Sequence, residues 1–367
     1  MQIAPMSSVL FHDPLCRDPY DSNTLLTRAS GGTEATVTRI ADALGARVSQ
    51  HNRRQDSGNY RRPVRIEGIE HVVAVRDSRA LPMLKELYPR AQFYLWVHDQ
   101  MNPGSKRARR LASTAAIMRD LAVRIICVSN WQRGRVEATL AGIGLADRVT
   151  ARTIYNPVAD DIWPDDTEVD RDKLVFFSSP NKGLAYALDV FASLRRRIPS
   201  MRLLVGNPAY KRGRARDRGG VEYLGPQPQA HMHAIVRGAL CTFAPNFVLP
   251  ETFGLVYAES KALGTPVLAH DCGAAAEVIA DARQVMPTRR AYRAYESIVH
   301  NLPSPLRRGP ARLADQFGLF DAYCERIAAW RAGARPQVGP DPRFMLTSVA
   351  AQWRALLRGA PDNARAN

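Results

Sequence analysis

The 367-residue chain has few of the features that mark membrane, secreted or zinc-binding proteins. No apolar run approaches the roughly 20 residues that a membrane-spanning helix needs. The N-terminus has no basic stretch followed by an apolar one, so no secretory signal is predicted. Five scattered cysteines without a Cys-x-x-Cys pair predict neither disulfides nor a zinc site, and Cys127 and Cys241 lie in apolar runs typical of buried thiols. We therefore expect a cytoplasmic protein.

Lysine is also scarce, because only six of the 51 basic residues are Lys and the rest are Arg. The formal net charge of +16 favours anionic partners such as nucleotide diphosphates, anionic lipids or nucleic acid, although the Arg bias is equally typical of a GC-rich genome. No P-loop and no G-x-S-x-G sequence is present. The segment Gly142–Gly144 lacks the third glycine of a dinucleotide fingerprint and a preceding strand, which argues against a dehydrogenase.

Short apolar runs alternate with helical patterns, which predicts an α/β fold with two doubly wound, Rossmann-like domains facing a cleft. The predicted domains are 1–157 and 173–335, separated by a proline-containing, acidic linker at 158–172. The predicted strands of the first are Ser8–His12, Val72–Val75, Phe93–Val97, Arg124–Val128 and Ala151–Ile154. Those of the second are Leu174–Phe177, Arg202–Val205, Val221–Leu224, Cys241–Ala244 and Pro266–Ala269. An amphipathic helix is predicted around Phe344–Leu357.

The segment Pro250–Glu259 holds two carboxylates eight residues apart, with a Phe-Gly turn after the first. If Glu251 follows a strand and Glu259 lies two turns into the next helix, both can face one pocket. Carboxylates accept hydrogen bonds from sugar hydroxyls, so the pair suits a polyhydroxylated ligand. A solvated helix face is the competing interpretation for any such pair of Glu residues.

The Pro250–Glu259 segment resembles the E-x7-E motif of retaining glycosyltransferases with the GT-B fold, specifically family 4. Further segments similar to that family occur in the family's order: Gly31–Glu34, Val97–Asp99, Val128–Trp131, Asn181–Gly183, Ala262–Ala269 and Asp271–Ile279. The resemblance implies a GT-B architecture in which the C-terminal segment 341–367 packs back on the first domain. It also implies transfer of a hexose or deoxyhexose from a nucleotide-diphosphate sugar to a hydroxyl acceptor, in polysaccharide or glycoconjugate synthesis.

The resemblance also implies roles for particular residues. Glu251 would bind donor-sugar hydroxyls, Lys182 would stabilise the departing diphosphate, and His98 would bind the sugar from the first domain. Glu259 would bind the nucleotide ribose. The other implied donor-site residues are Gly31, Gly32, Ser178, Ser179, Gly254, Leu255 and Gly273. No Asp-x-Asp sequence is placed to bridge a metal to the diphosphate, so neither a metal nor another cofactor is expected.

The chain departs from the family pattern where an Arg usually precedes Lys182 by about five residues. Ser178 or Ser179, or an Arg from the loop 211–218, are the alternatives for that phosphate contact. Asp99 is open to two interpretations, as a residue that orients His98 or as a cap on the next turn. The basic segment Lys106–Arg110 is either a solvated helix face or a peripheral contact with an anionic membrane.

The predicted partners are a nucleotide-sugar donor and a glycan or lipid-linked glycan acceptor, with no nucleic acid. A GT-B nucleotide-sugar epimerase or phosphorylase is the nearest alternative, because it shares the architecture. A non-catalytic basic binding protein is the alternative from another class, and steeply salt-dependent polynucleotide binding would favour it.

Overall fold

The structure is a computed structural model that describes residues 5–102, 104–206, 219–246, 249–287 and 318–359. Its strands are β1 (Val9–Asp13), β2 (Arg47–Gln50), β3 (Tyr60–Arg61), β4 (His71–Val75), β5 (Gln92–Val97), β6 (Arg124–Cys127), β7 (Thr150–Thr153), β8 (Asp170–Phe177), β9 (Arg202–Gly206), β10 (Val221–Gly225), β11 (Ala239–Ala244), β12 (Val267–His270) and β13 (Val285–Met286). Its helices are α1 (Ser22–Thr27), α2 (Gly32–Leu44), α3 (Leu81–Leu87), α4 (Lys106–Ser113), α5 (Ala115–Asp120), α6 (Asn130–Gly142), α7 (Leu184–Arg197), α8 (Gln229–Arg237), α9 (Leu255–Ala262), α10 (Ala275–Ile279), α11 (Leu319–Ala329) and α12 (Leu346–Leu357).

The chain divides into two compact units. Unit 1 comprises Met1–Leu25, Gly32–Asp160 and Pro342–Asn367, and unit 2 comprises Leu26–Gly31 and Asp161–Asp341. Within the described residues, the sheet of unit 1 has the order β3-β2-β1-β4-β5-β6-β7, and that of unit 2 has the order β10-β9-β8-β11-β12-β13. The strand pairs in both sheets are parallel. Each unit is therefore a doubly wound α/β fold, as predicted.

The strand order reverses at one place in each sheet. In unit 1 the reversal lies between β1 and β4, and in unit 2 it lies between β8 and β11. The loops after two such strands run to opposite faces of the sheet and leave a crevice at the strands' carboxyl ends, which is where open α/β sheets bind ligands. The residues that follow β1, β4, β8 and β11 are therefore the first candidates for function.

Both cores consist of apolar strand residues covered by helices. In unit 2 the Phe243 ring of β11 meets Tyr323 of α11, with ring centroids 5.8 Å apart. In unit 1 the helix α12 packs against α2 and the sheet, because Trp353 lies 4.8 Å from Trp96 and 5.5 Å from Phe11, measured between ring centroids. The C-terminal segment is thus part of unit 1, and its residues 360–367 lie outside the described ones.

Several predicted boundaries differ from the structure. The strands β2, β3 and β13 were not predicted, since they are short and β2 carries polar residues. Two of these polar residues are buried and find partners far along the chain: Ser49 bonds His12 at 2.7 Å, and Gln50 donates to the Tyr20 carbonyl at 2.8 Å. Such partners leave no periodic signal in the sequence.

The largest difference between prediction and structure concerns the acidic stretch that was predicted as a linker at 158–172. Unit 1 extends to Asp160, and Asp161 already belongs to unit 2, where β8 begins at Asp170. The acids are paired with arginines of unit 2: Asp165 lies 3.0 Å from Arg237, and Asp172 lies 2.5 Å from Arg331. These ion pairs attach the stretch to unit 2, although its residues 163–168 are exposed.

Candidate active site

The Pro250–Glu259 segment joins the end of β11 to α9. Gly254 precedes the helix at φ +87°, a left-handed conformation that favours glycine. A Cβ there would lie 2.3 Å from the Tyr257 ring, so the ring also requires the glycine. Glu251 lies before this turn, and Glu259 is the fifth residue of α9, one turn into the helix rather than the two that were predicted. Both glutamates are buried, with 5% and 4% of their surface exposed, so the solvated-face interpretation is wrong.

Glu251 forms an ion pair with Lys182, in which Nζ lies 2.6 Å from Oε2. The Lys182 side chain is 34% exposed, whereas that of Glu251 is 6% exposed. The two residues follow β8 and β11, the strands between which the order of unit 2 reverses. Two residues that were predicted separately, 69 positions apart, thus meet at the expected ligand-binding edge.

The predicted glycine loop at 273 holds the backbone of Glu251. Gly273 pairs with Glu251 in an isolated parallel bridge, and the Ala274 N–H donates to the Glu251 carbonyl at 2.9 Å. Gly273 has φ +72°, and a Cβ there would lie 2.3 Å from that carbonyl oxygen. No other residue fits this contact without moving the backbone of Glu251. The helix that follows, α10, begins at Ala275.

Glu259 is held by a different partner, since the Gln229 Nε2 amide donates to its Oε1 at 2.5 Å. Gln229 is the first residue of α8. The two glutamates of the motif therefore have different environments, one beside a cation and one beside a neutral amide. Burial, and then the charge of Glu251, raise the pKa of Tyr257, which lies between them in sequence.

The loop between β8 and α7 carries Lys182 and the predicted serines. Ser179 is buried and its carbonyl accepts the Lys182 backbone N–H at 2.8 Å, while Ser178 is half-buried. Gly183 follows at φ +97°, and a Cβ there would lie 3.1 Å from Asn246 Cα, just after β11. The close approach of the two loops places Lys182 beside Glu251. The alternative phosphate contact from the loop 211–218 lies outside the described residues.

In unit 1, His98 follows β5 and is 8% exposed, with its ring centroid 4.6 Å from that of Trp96. Burial, and then the positive charge of Arg76, lower the pKa of His98 to about 3, so the imidazole is neutral near pH 7. Asp99 forms an ion pair with Arg107 of α4. Asp99 was predicted either to orient His98 or to cap the next turn. Neither interpretation describes this ion pair, in which the Asp99 carboxylate contacts α4.

The predicted glycines of the first domain are divided between the units. Gly31 ends the short segment of unit 2, and Gly32 is the first residue of α2 in unit 1. The basic segment forms α4, in which Lys106 and Arg109 are exposed while Arg107 is committed to Asp99. Leu255 begins α9 and is partly exposed.

Sequence reasoning missed a buried charge cluster at the reversal point of unit 1. Arg76 Nη2 lies 2.9 and 3.0 Å from the two Asp13 carboxylate oxygens and 3.7 Å from Glu34 Oε1. Asp13 is fully buried and also accepts hydrogen bonds from the Tyr20 hydroxyl and the Leu15 N–H. Arg76 adopts φ +70°, unusual for a residue with a side chain. Asp13 ends β1 and Arg76 follows β4, so their positions at strand ends are the sequence signal that could have indicated them.

All five cysteines are buried, and none of them forms a disulfide. Within the described ranges, no group of three His, Cys, Asp or Glu side chains could hold a metal ion. Among the helices of that same part of the chain, none is both long and apolar enough to cross a membrane.

The two doubly wound parallel units, together with the solved structures compared below, identify the class of the fold as the GT-B architecture. The family model of the glycosyl transferases group 1 matches residues 163–296, which lie in unit 2. The match includes Lys182, Glu251, Glu259 and Gly273. It thus covers the predicted donor-side residues of unit 2.

Comparisons with known proteins agree with this class. Phosphatidyl-myo-inositol mannosyltransferase of Mycobacterium tuberculosis is 34% identical over 109 residues, and this alignment spans only 29% of either protein. The crystal structure of Anabaena HepE in complex with UDP has a TM-score of 0.62 at 15% identity, covering 96% of this chain and all of HepE. Sucrose-phosphate synthase from Thermosynechococcus elongatus has a TM-score of 0.58 at 15% identity, covering 96% of this chain and 98% of the synthase. At these identities the structural likeness shows the fold.

Proposed function

We propose that this protein is a retaining, family 4 glycosyltransferase that moves a hexose or deoxyhexose from a nucleoside diphosphate sugar to a hydroxyl of a glycan or lipid-linked glycan. It would act in the cytoplasm, in the synthesis of cell-surface polysaccharides or glycoconjugates. The observation that carries the proposal is the Lys182–Glu251 ion pair at the reversal point of unit 2, inside the segment that matches the glycosyl transferases group 1. The UDP bound to HepE and the name of the mycobacterial relative make UDP and mannose sensible first probes.

The exposed fractions of the Lys182 and Glu251 side chains suit a donor that carries both a diphosphate and a sugar. Lys182 is reached from solvent and can bind a diphosphate oxygen through a charge-assisted hydrogen bond. Glu251 is almost fully buried, and its carboxylate has further acceptor sites for sugar hydroxyls. Lys182 would then bridge Glu251 and the diphosphate, and so place the anomeric carbon beside the pair.

In the proposed reaction the bond between the anomeric carbon and the diphosphate oxygen breaks, and the acceptor oxygen forms its bond on the same face. The acceptor's proton passes to the departing diphosphate oxygen, so no separate base is required. Lys182 offsets the charge that gathers on the leaving group. His98, neutral because it is buried, is proposed to exchange hydrogen bonds with a sugar hydroxyl. Gly31, Gly32, Ser178, Ser179, Gly254, Leu255 and Gly273 remain predicted donor-site residues.

The first experiment is a thermal-shift panel of UDP, GDP, ADP and dTDP sugars, since a ligand that binds only the folded protein raises its melting temperature. Glu251→Gln is then assayed for transfer with the donor that binds. We expect most transfer to be lost while the melting temperature changes little. The control is Glu222→Gln, an exposed glutamate on β10 that should keep wild-type turnover. Wild-type turnover in a folded Glu251→Gln protein would contradict the proposed role.

The same assay separates the alternative activities. An epimerase converts the nucleotide sugar without an acceptor, so turnover of donor alone would favour it over a transferase. The anomeric configuration of the product, followed by NMR, tests retention. Steeply salt-dependent polynucleotide binding in the absence of donor binding would favour the non-catalytic alternative.

We also propose that transfer needs no metal ion, with Lys182 and backbone amides neutralising the diphosphate. Magnesium and manganese prefer carboxylate and other oxygen ligands, and the two carboxylates of this site are assigned to sugar and ribose. Activity should therefore survive excess EDTA. Loss of transfer that manganese or magnesium restores would contradict this proposal.

A peripheral contact with an anionic membrane through Lys106–Arg110 is proposed as the route to a lipid-linked acceptor. Exposed cations close to an anionic bilayer contribute about 1 kcal/mol each. Sedimentation with vesicles of phosphatidylglycerol and phosphatidylcholine tests it, using the double variant Lys106→Glu and Arg109→Glu. The control is Arg119→Glu, an exposed change on α5. Equal binding by both variants would contradict a contact through α4.

A further inference from the structure

The hydrogen bond between Gln229 and Glu259 joins two helices of unit 2. Gln229 opens α8 and donates from Nε2 to Oε1 of Glu259 on α9, at 2.5 Å. Glu259 is 4% exposed, whereas Gln229 is partly exposed. The residues are 30 positions apart, and no motif in the sequence connects them.

A glutamate has three rotatable bonds, so a buried carboxylate keeps one orientation only when neighbouring groups hold it. An amide donor fixes one oxygen of Glu259 without cancelling the carboxylate's charge. This differs from Glu251, whose partner is a cation. A carboxylate held in this way can accept hydrogen bonds from hydroxyl groups of a ligand.

We infer that Gln229 is a positioning residue that orients Glu259 toward the ribose 2′-hydroxyl of the donor nucleotide, and so sets the preference for ribonucleotides over 2′-deoxyribonucleotides. The inference rests on the proposed function, in which Glu259 binds the ribose. Gln229 itself acts through Glu259. Its removal should affect only those ligands that offer a 2′-hydroxyl to the carboxylate.

Gln227 provides a matched control on the same segment. Its Nε2 amide donates to the Leu224 carbonyl at 2.6 Å, so it has the same chemistry and a backbone partner instead of Glu259. A change at Gln227 reports any general disturbance of the connection between β10 and α8. A difference between the two glutamines then isolates the contact with Glu259.

The experiment is calorimetric titration of the full chain with UDP, GDP, ADP, their 2′-deoxy analogues and dTDP. We expect the wild type to prefer a ribonucleotide over its 2′-deoxy analogue by about tenfold, the effect of one hydrogen bond to a charged group. Gln229→Ala should lose most of that preference by weakening the ribonucleotide alone, while Gln227→Ala keeps it. Melting temperatures of both variants should stay close to that of the wild type.

A second variant keeps the side-chain shape and removes the donor. Gln229→Glu places a carboxyl group beside Glu259, and the two must share a proton to stay in contact. Relative to the wild type at each pH, its ribonucleotide affinity should be low at pH 8 and recover toward pH 5. A residue with only a packing role would show no such pH profile. If Gln229→Ala lowers the melting temperature, Gln229→Glu is the variant that tests the inference.

The possible negative results distinguish a failure of the proposed function from a failure of the inference about Gln229. If the wild type binds none of the nucleotides, the proposed function and this inference both fall. If it binds ribonucleotides and 2′-deoxyribonucleotides equally, or prefers dTDP, a nucleotide site exists but the ribose role is wrong. If Gln229→Ala weakens both kinds of nucleotide equally, and Gln229→Glu shows a flat pH profile, Gln229 is only structural and the inference is overturned.

Discussion

Each unit holds an ion pair at the place where its strand order reverses, and the two pairs differ in burial. In unit 1 the pair is Asp13 with Arg76, whose side chains are 0% and 14% exposed. In unit 2 it is Glu251 with Lys182, whose side chains are 6% and 34% exposed. The topology is the same, so the burial of the cation is the informative difference.

The surroundings extend this difference. Asp13 is satisfied inside the protein, because Arg76, Tyr20 and a backbone N–H all donate to it. Burial by itself would lower the pKa of Arg76. The negative charges of Asp13 and Glu34 raise the pKa by more than burial lowers it, so the net pKa is raised. Lys182 is an ammonium on a flexible stem that solvent and ligands can reach. A buried pair of this kind is costly to break because it leaves a charge unpaired, whereas a half-exposed pair can exchange partners with a charged ligand.

The largest effect should come from breaking the buried pair. Asp13→Asn leaves Arg76 without its main counter-ion, and loss of one partner of a buried pair costs about 3–5 kcal/mol. The free energy of unfolding in urea, followed by tryptophan fluorescence, measures it. Asp56→Asn is the control, because Asp56 pairs with Arg61 and Arg62 at the surface and should change stability little. Similarly small effects at both positions would show that the buried Asp13–Arg76 pair matters no more to stability than a surface pair.

The second effect concerns the glycine that holds Glu251. Gly273→Ala introduces left-handed strain and a clash with the Glu251 carbonyl, and should cost about 2–4 kcal/mol of unfolding free energy. Gly225→Ala is the matched control, since Gly225 has φ +67° and open space around it. It should cost only about 1 kcal/mol of strain. Equal costs would show that the contact with Glu251 contributes nothing.

The third effect tests whether the half-exposed pair serves a ligand. Lys182→Ala should weaken nucleoside diphosphate binding by about 1.5–3 kcal/mol, the range for a charge-assisted hydrogen bond. Calorimetric titration measures the affinity. Lys85→Ala, an exposed lysine of unit 1 that bonds the Pro89 carbonyl, should leave it unchanged. An unchanged affinity in Lys182→Ala would move the phosphate site elsewhere.

The last effect is a pH dependence that arises in unit 1. The pKa of His98 is lowered from 6.5 to about 3, so below pH 6.5 the unfolded chain binds a proton that the folded protein does not. Stability present above pH 6.5 is therefore lost as the pH falls toward 3, by about 1.4 kcal/mol per pH unit. His98→Gln should reduce this slope by that amount in urea unfolding between pH 6 and 4.5.

The exposed His231 provides the control for that measurement, because His231→Gln removes a histidine from the surface of α8. His12 and His270 are also buried, with pKa values lowered to about 4, so part of the slope persists in both variants. A slope that His98→Gln leaves unchanged would mean that His98 is protonated in the folded protein.

The predicted fold class is confirmed, and all ten predicted strands occur with ends shifted by a few residues. Apolar periodicity identifies long buried strands, but it cannot indicate β2, whose Ser49 and Gln50 are buried through contacts with distant residues. Of the site, Lys182 and Glu251 were predicted and meet as a pair. Asp13, Arg76 and Gln229 were not predicted. The positions of Asp13 and Arg76 at strand ends could have indicated them, whereas nothing in the local sequence of Gln229 distinguishes it from a surface residue.

The sequence alone determined the alternation of strands and helices, the glycines that turn before helices, and the eight-residue spacing of Glu251 and Glu259. These are local properties of neighbouring residues, set by periodicity and backbone conformation. Only the tertiary structure decided which partner each buried charge takes. Asp13 and Arg76 are 63 positions apart, Lys182 and Glu251 are 69, and Gln229 and Glu259 are 30. Pairs so far apart form only when the fold of the sheet brings together the loops or helices that carry them.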